Sequence, residues 1–258
     1  MYKEKRFTYR FTYSNGFKSP TLKELYYYYE TERMGMHRLY LGNEDLIPQR
    51  SHYFSLSTEY KHKKLQTSVN LYLNRVYDMI DYRIIPTEYK YERRGIEETK
   101  KRYNIDDART YGIDYQMRYK LTSQISLNAG YSYVDARNLT QEIRLNGVSA
   151  HSANWKTSWT KRWNTKSLNL NVSGVYKSDR FYLEEDLKRT YAKGYQLWKF
   201  TANYSIRNFK KINLSISAGI DNLFDYVDDS PYGSHYGTLN PGRTLFAGIK
   251  LNFLNQTK

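Results

Sequence analysis

The connections between the alternating segments of this chain are sorted strictly by length, and few folds can absorb that pattern. Apolar and polar residues alternate with a period of two almost from end to end, which is the signature of a strand with one buried and one polar face. About ten strands are expected, near 5–14, 51–61, 64–85, 106–120, 123–137, 151–163, 166–178, 195–208, 211–222 and 243–253. The connections near 62–63, 121–122, 164–165 and 209–210 are tight turns, whereas those near 15–50, 86–105, 138–150, 179–194 and 223–242 are long. Short and long alternate without exception. A soluble sandwich has no reason to sort its loops this way. A membrane barrel does, because turns lie at one end of its wall and long loops at the other. The long loops are then expected outside the cell, and both chain ends in the periplasm.

The composition of the two strand faces points the same way. In RTLFAGIKLNF, Leu245, Ala247, Ile249, Leu251 and Phe253 share one face, while Gly248, Lys250 and Asn252 share the other. INLSISAGI sets Ile212, Leu214, Ile216, Ala218 and Ile220 against Asn213, Ser215, Ser217 and Gly219. Small polar residues on the second face, with Tyr closing the first, distinguish a membrane strand from a cytosolic one. The chain has 29 Tyr and is 17% aromatic, as the aromatic girdles of such a wall require. A mean hydropathy of -0.84 excludes a helical membrane protein, and no apolar run reaches the roughly 18 residues of a spanning helix.

The formal charge of +15 is dispersed over strands and loops, so no nucleic-acid partner is expected. A basic outer face against anionic lipopolysaccharide accounts for it instead. Cysteine is absent, which removes disulfides and thiolate chemistry. The residues after Met1, YKEKRFTYRF, contain no apolar export core. His52, His62, His151 and His235 are scattered without metal-ligand spacing, and no nucleophile elbow or phosphate loop is present. Neither a metal site nor an enzyme is expected.

Five motifs, in order, carry a family resemblance. GFKSPTLKELY at 16–26 and LGNEDLIPQRSHYFSLSTEY at 41–60 resemble the paired boxes of TonB-dependent outer-membrane receptors. The box residues are Phe17, Lys18, Ser19 and Pro20, then Asn43, Glu44, Asp45 and Leu46. ARTYGIDYQMRY at 108–119, DNLFDY at 221–226 and PGRTLFAGIKLNF at 241–253 are similar to later family elements. The terminal Phe253 stands where the family carries its signal for the barrel-assembly machinery. Lys18, Ser19 and Glu44 depart from the usual Arg, Ala and Pro.

The resemblance implies an all-β, antiparallel transmembrane β-barrel segment in the Gram-negative outer membrane. Residues 1–258 would supply about ten meandering strands, the C-terminal part of a 22-stranded barrel, without its plug. It implies no intrinsic cofactor, and import of a scarce nutrient with energy from the inner-membrane TonB complex, contacted only through the plug. The expected cargo is an iron complex, haem ahead of a ferric siderophore, with cobalamin as the alternative within the family. A free-standing ten-stranded barrel acting as a pore or structural protein is the alternative outside it.

In haem-uptake members a His between the two boxes binds the iron axially, and His37 occupies that segment. The resemblance thus nominates His37 as a ligand, with Tyr26, Tyr27, Tyr28, Tyr29 and Tyr40 as flat aromatic surface and Arg33 and Arg38 for carboxylates. Read without the resemblance, the same residues make an ordinary polar loop with packed Tyr rings.

Overall fold

The computed structural model describes residues 2–33, 35–183, 189–209, 212–228 and 242–253. In chain order, β1 (Tyr2–Glu4) and β2 (Phe7–Lys18) form a hairpin, and α1 (Leu22–Tyr26) follows. A second hairpin joins β3 (Tyr28–Arg33) to β4 (Met36–Leu41). Next come β5 (Gln49–His62), β6 (Leu65–Ile85), α2 (Tyr89–Glu92), β7 (Glu98–Lys120) and β8 (Ile125–Asn138). The remainder comprises β9 (Ile143–Arg144), β10 (His151–Trp163), β11 (Lys166–Lys177), β12 (Arg180–Leu183), β13 (Arg189–Ala192), β14 (Tyr195–Phe209), β15 (Ile212–Asp221) and β16 (Thr244–Phe253). His235, Pro241 and most of the 223–242 connection lie outside the described residues.

The ten expected strands are β2, β5, β6, β7, β8, β10, β11, β14, β15 and β16. They neighbour one another in sequence order, each antiparallel to the next. Two boundaries differ from expectation by more than two residues. β2 continues to Lys18, because β5 offers partners as far as Gln49. β7 begins at Glu98, because the upper half of β6 pairs with it as far as Ile85↔Thr99. That upper ladder is offset by bulges around Val76 and Met79, where Asp78 has a φ of 57°. A bulge leaves one residue unpaired and increases the local twist, so the two longest strands change course above it.

Register places all the apolar faces on one side of the sheet. One row runs Phe11, Leu56, Leu71, Ile113, Tyr133, and another Leu127, Thr157, Val172, Phe200, Ile220, Leu245. The opposite face carries a polar ladder. Asn171 Nδ2 donates to Asn169 Oδ1 (2.6 Å) and to Thr201 Oγ1 (3.0 Å), and Ser158 Oγ donates to Asn171 Oδ1 (2.7 Å). These amides are paired across strands because a polar group withdrawn from water costs free energy unless it is bonded.

Among the described residues the sheet has two largely open edges. Among the described residues β16 pairs with β15 alone, and only the three-residue β1 lies beyond β2. A self-closing ten-stranded barrel would need a ladder between β16 and β1 or β2, and none is present among these residues. The short-turn end carries almost no core. The tightest packing is at the long-loop end, where Leu39, Leu46, Ile80, Ile96 and Thr99 are all buried.

Candidate functional site

The long-loop cluster is assembled by the two sequence boxes. Pro20 follows β2, and Thr21 then caps α1: the Glu24 amide donates to Thr21 Oγ1 at 3.2 Å, while the Thr21 amide donates to Glu24 Oε2 at 2.8 Å. This reciprocal pair satisfies two amides that a helix start leaves open. Lys18 Nζ adds a 2.7 Å bond to Glu24 Oε1. Burial pushes the Glu24 carboxyl up, but the bonds from Lys18 and Thr21 outweigh it and hold the group at about 2.

The second box closes against the first. Gly42 donates to Tyr27 O (2.7 Å), and Asn43 Oδ1 accepts from the Asp45 amide (3.2 Å) in a side-chain turn. Asn43 and Leu46 are buried, whereas Phe17 is exposed on the β2 edge. A Cβ on Gly42 would lie 2.5 Å from Leu25 O, so only glycine allows this approach. Asn104 of β7 fixes the segment that follows, accepting from Ile47 N (3.0 Å) and donating to Ile47 O (2.9 Å) and Asp78 O (2.8 Å).

The β3–β4 hairpin stands between the boxes, and its alternation divides the nominated residues. Tyr29 is registered opposite Tyr40, and Thr31 opposite Arg38, on one face. Tyr28, Glu30 and Glu32 lie on the other, opposite Leu41, Leu39 and His37. Arg33 pairs with Met36 near the tip, and its side chain lies outside what the structure describes. The second face is committed to the 89–97 segment. Arg94 bonds Glu30 (2.8 Å) and Tyr28 Oη (2.9 Å), and Tyr28 also donates to Glu30. The Glu30 carboxylate raises the Tyr28 phenol above its ordinary value, so the phenol remains a donor. The His37 carbonyl accepts from the Glu97 amide (2.9 Å), and its ring stands 4.0 Å from Glu32. The structure therefore does not bring His37 together with Tyr29, Tyr40 and Arg38.

The first face opens into a recess of about 410 Å³, lined by Lys23, Arg38 and Arg102 and by the rings of Tyr27, Tyr29, Tyr40 and Tyr82. Tyr27 stacks on Tyr29 at 5.7 Å, Tyr29 contacts Tyr40 at 6.3 Å, and Tyr40 meets Tyr82 edge-on at 5.2 Å. Arg102 lies 3.6 Å over the Tyr82 ring, and Lys23 Nζ 4.5 Å over Tyr27. Arg38 is positioned by an ion pair with Glu98 at 3.1 Å. The lining carries three cations and no carboxylate, so it suits an anionic group bearing flat rings. Tyr27, Tyr29, Tyr40 and Arg38 are among the residues expected from sequence, whereas Lys23, Tyr82 and Arg102 were not nominated by it. Arg102 arrives through its register opposite Tyr82 in the β6–β7 ladder, which no local motif encodes.

An antiparallel wall that is apolar on one face and polar on the other, topped by a packed loop cluster, defines an outer-membrane-type barrel wall. Residues 4–223 match the family described as TonB dependent receptor-like, beta-barrel, and the chain belongs to that family. It is 26% identical over 230 residues to a vitamin B12 transporter, BtuB, from Photobacterium profundum, covering 86% of this chain and 33% of the relative. Its fold is similar to a mutant of the ferric enterobactin receptor PfeA from Pseudomonas aeruginosa (TM-score 0.68, 17% identity, 95% of this chain and 38% of that one). The siderophore receptor PirA from Acinetobacter baumannii is similar at a TM-score of 0.72 (17% identity, 95% and 39%). The chain thus spans about a third of the length of the curated relative. Members of the family are outer-membrane β-barrel receptors for nutrient uptake.

Proposed function

We propose that this chain forms the C-terminal part of the barrel wall of a TonB-dependent receptor, with the long loops outside and both ends in the periplasm. The edge of β2 beyond its short pairing with β1, and the outer edge of β16, support a larger barrel, since unpaired strand edges do not persist in lipid. Further strands and a plug would complete it, and coupling to TonB would run through that plug. The proposed cargo is a ferric complex of an anionic, ring-bearing siderophore, in preference to haem. The observation that carries this reading is the single-faced arrangement of Tyr29, Tyr40 and Arg38 with Lys23 and Arg102, while His37 is registered on the other face of the hairpin. Cobalamin is the second reading, favoured by the likeness to a vitamin B12 transporter.

Titrating the receptor that carries this chain with a ferric catecholate, haem and cyanocobalamin separates the three. Each charge-assisted bond contributes about 1.5–3 kcal/mol, so the Arg38→Gln, Arg102→Gln double variant is expected to weaken catecholate binding at least ~10-fold. His37→Ala is expected to leave it unchanged. Haem binding lost with His37→Ala and indifferent to the arginine variants reverses the assignment.

A further inference from the structure

Three neighbouring strands align arginine side chains in one row on the apolar face, and a histidine stands at its start. His52 of β5 is registered opposite Arg75 of β6, Arg75 opposite Arg109 of β7, and Arg109 opposite Arg137 of β8. Arg144 of β9 continues the row beyond Arg137. At a strand spacing of about 4.8 Å, the span from His52 to Arg137 is roughly 14 Å. Like charges directly opposite one another on neighbouring strands are destabilising, so three consecutive arginines need a reason.

Their height on the wall supplies one. His52, Arg75, Arg109 and Arg137 each lie ten to twelve positions along their strand from the short-turn end. A tilted strand crosses the hydrocarbon in about 9–11 residues, so the row stands where hydrocarbon gives way to headgroups. The next row towards the short turns holds Tyr13, Phe54, Leu73 and Tyr111, and ends on β8 at Asp135; Tyr13 and Phe54 are in contact at 4.9 Å. Arg75 and Arg109 therefore rest directly on an aromatic and aliphatic band, while Arg137 stands over Asp135.

The row is also under-neutralised. Arg137 is bonded to Asp135 at 2.8 Å, and Arg75 reaches Asp107 at 3.4 Å. Among the described residues Arg109 has no hydrogen bond or ion pair, and its guanidinium lies 5.1 Å over the Tyr111 ring. The Nε atoms of both Arg75 and Arg109 are shielded from solvent without a hydrogen-bond acceptor. A doubly or multiply anionic group above the band would offset the repulsion and accept from the outward-facing guanidinium nitrogens.

We propose that the Arg75, Arg109 and Arg137 row binds the phosphate groups of a phosphorylated lipid, a lipopolysaccharide, in the leaflet at the long-loop end. A soluble anion would satisfy the guanidinium groups but leave the apolar band beneath them uncovered; a phosphorylated lipid meets both. The proposal rests on the orientation given above, which is tested separately by labelling a cysteine placed at Asn146 on intact cells.

The test uses the receptor that carries this chain, purified in a non-ionic detergent and examined by native mass spectrometry. It is titrated with a short-core lipopolysaccharide, with the same lipid stripped of phosphate, and with inorganic phosphate. The phosphorylated lipid is expected to bind at least ~10-fold more tightly than the stripped one. The Arg75→Gln, Arg109→Gln, Arg137→Gln variant is expected to lose that preference. Removing three charges at the short-turn end (Lys61→Gln, Lys120→Gln, Lys166→Gln) is expected to retain it. Where the triple variant gives no heat-modifiable band, Arg109→Gln alone is used, since no protein hydrogen bond is lost with it, and a reduced preference is still expected. Equal binding of the two lipids, a preference that survives arginine removal, or equally tight binding of inorganic phosphate overturns the proposal. Label that reaches Asn146→Cys only after cell lysis overturns the orientation instead, whatever the lipid result.

Discussion

The backbone amide of Asn43 donates to the carbonyl oxygen of Glu24 at 3.0 Å, tying the second sequence box to the last turn of α1. Glu24 thus serves two roles at once, its carboxylate in the cap of the same helix and its carbonyl in the latch between boxes. The family resemblance of these boxes has a mechanical content: they fold residues 17–46 back on themselves and hold the β3–β4 hairpin over the wall.

Gly42→Ala tests the latch. The added methyl would meet Leu25 O at 2.5 Å, and backbone cannot swing aside as a flexible side chain can. The expected result is separation of the boxes, read as new protease cleavage within 42–48, with the heat-modifiability of the barrel unchanged. Asn43→Ala removes the side-chain acceptor of a buried turn, at a cost of about 1–3 kcal/mol, and should give the same cleavage at lower yield.

The cap also makes the loop sensitive to acid. Glu24 has an ordinary pKa of 4.5 and is held at about 2 in the folded protein. A carboxyl with a depressed folded pKa contributes stability that is fully present above its unfolded value and disappears as pH falls through the folded one. The loop is therefore expected to loosen between about pH 4.5 and 2, measured by pepsin cleavage across that range. Glu24→Gln should flatten the dependence in this window, and Lys18→Met should move it to higher pH. A wild-type cleavage rate that tracks the glutamine variant throughout removes Glu24 as the titrating group.

Asn104 provides a local measurement. Its amide group makes three bonds, two to Ile47 and one to Asp78 at the bulge. Asn104→Ala should accelerate hydrogen exchange at Ile47 by at least ~10-fold, the equivalent of about 1.4 kcal/mol. Exchange at the Asn171 rung of the wall should not change.

Inside the wall, Gly174 of β11 leaves room for the indole of Trp155, whose Cζ2 would lie 2.4 Å from an added Cβ. Trp155 in turn meets Trp198 edge-on at 4.8 Å, a contact that contributes about 0.5–1.5 kcal/mol beyond area burial. Gly174→Val should displace the indole and lower the yield of heat-modifiable protein. Adding Trp155→Ala to it should restore much of the yield, because the cavity left by one change accommodates the other.

The wall was legible in sequence because each of its strands carries its own period-two record, as in Leu245 to Phe253. The short elements at the long-loop end were not. α1 and α2 have five and four residues, too few for a helical period to register. The β3–β4 hairpin is hidden by the Tyr26 to Tyr29 run, where four identical residues show no alternation. Parity alone would have separated His37 from Arg38 and Tyr40, once the hairpin was known. The partnership of Tyr82 with Arg102 depends on a register set twenty residues apart across a bulged ladder, and no local pattern specifies it.

The β3–β4 hairpin is joined to the wall by a parallel ladder, Arg38↔Glu98 to Leu41↔Lys101. Strand registers are discrete: a one-residue slip turns every side chain to the opposite face, so the smallest shift that keeps Tyr40 and Arg38 facing the recess is two residues, about 7 Å. Intermediate positions would break the ladder without offering another. The hairpin therefore behaves as a ratchet with one seated notch, and the recess meets its ligand as a cup already formed. Capture by gradual closure of this hairpin is disfavoured, and whatever movement accompanies binding must come from the segments on either side of it.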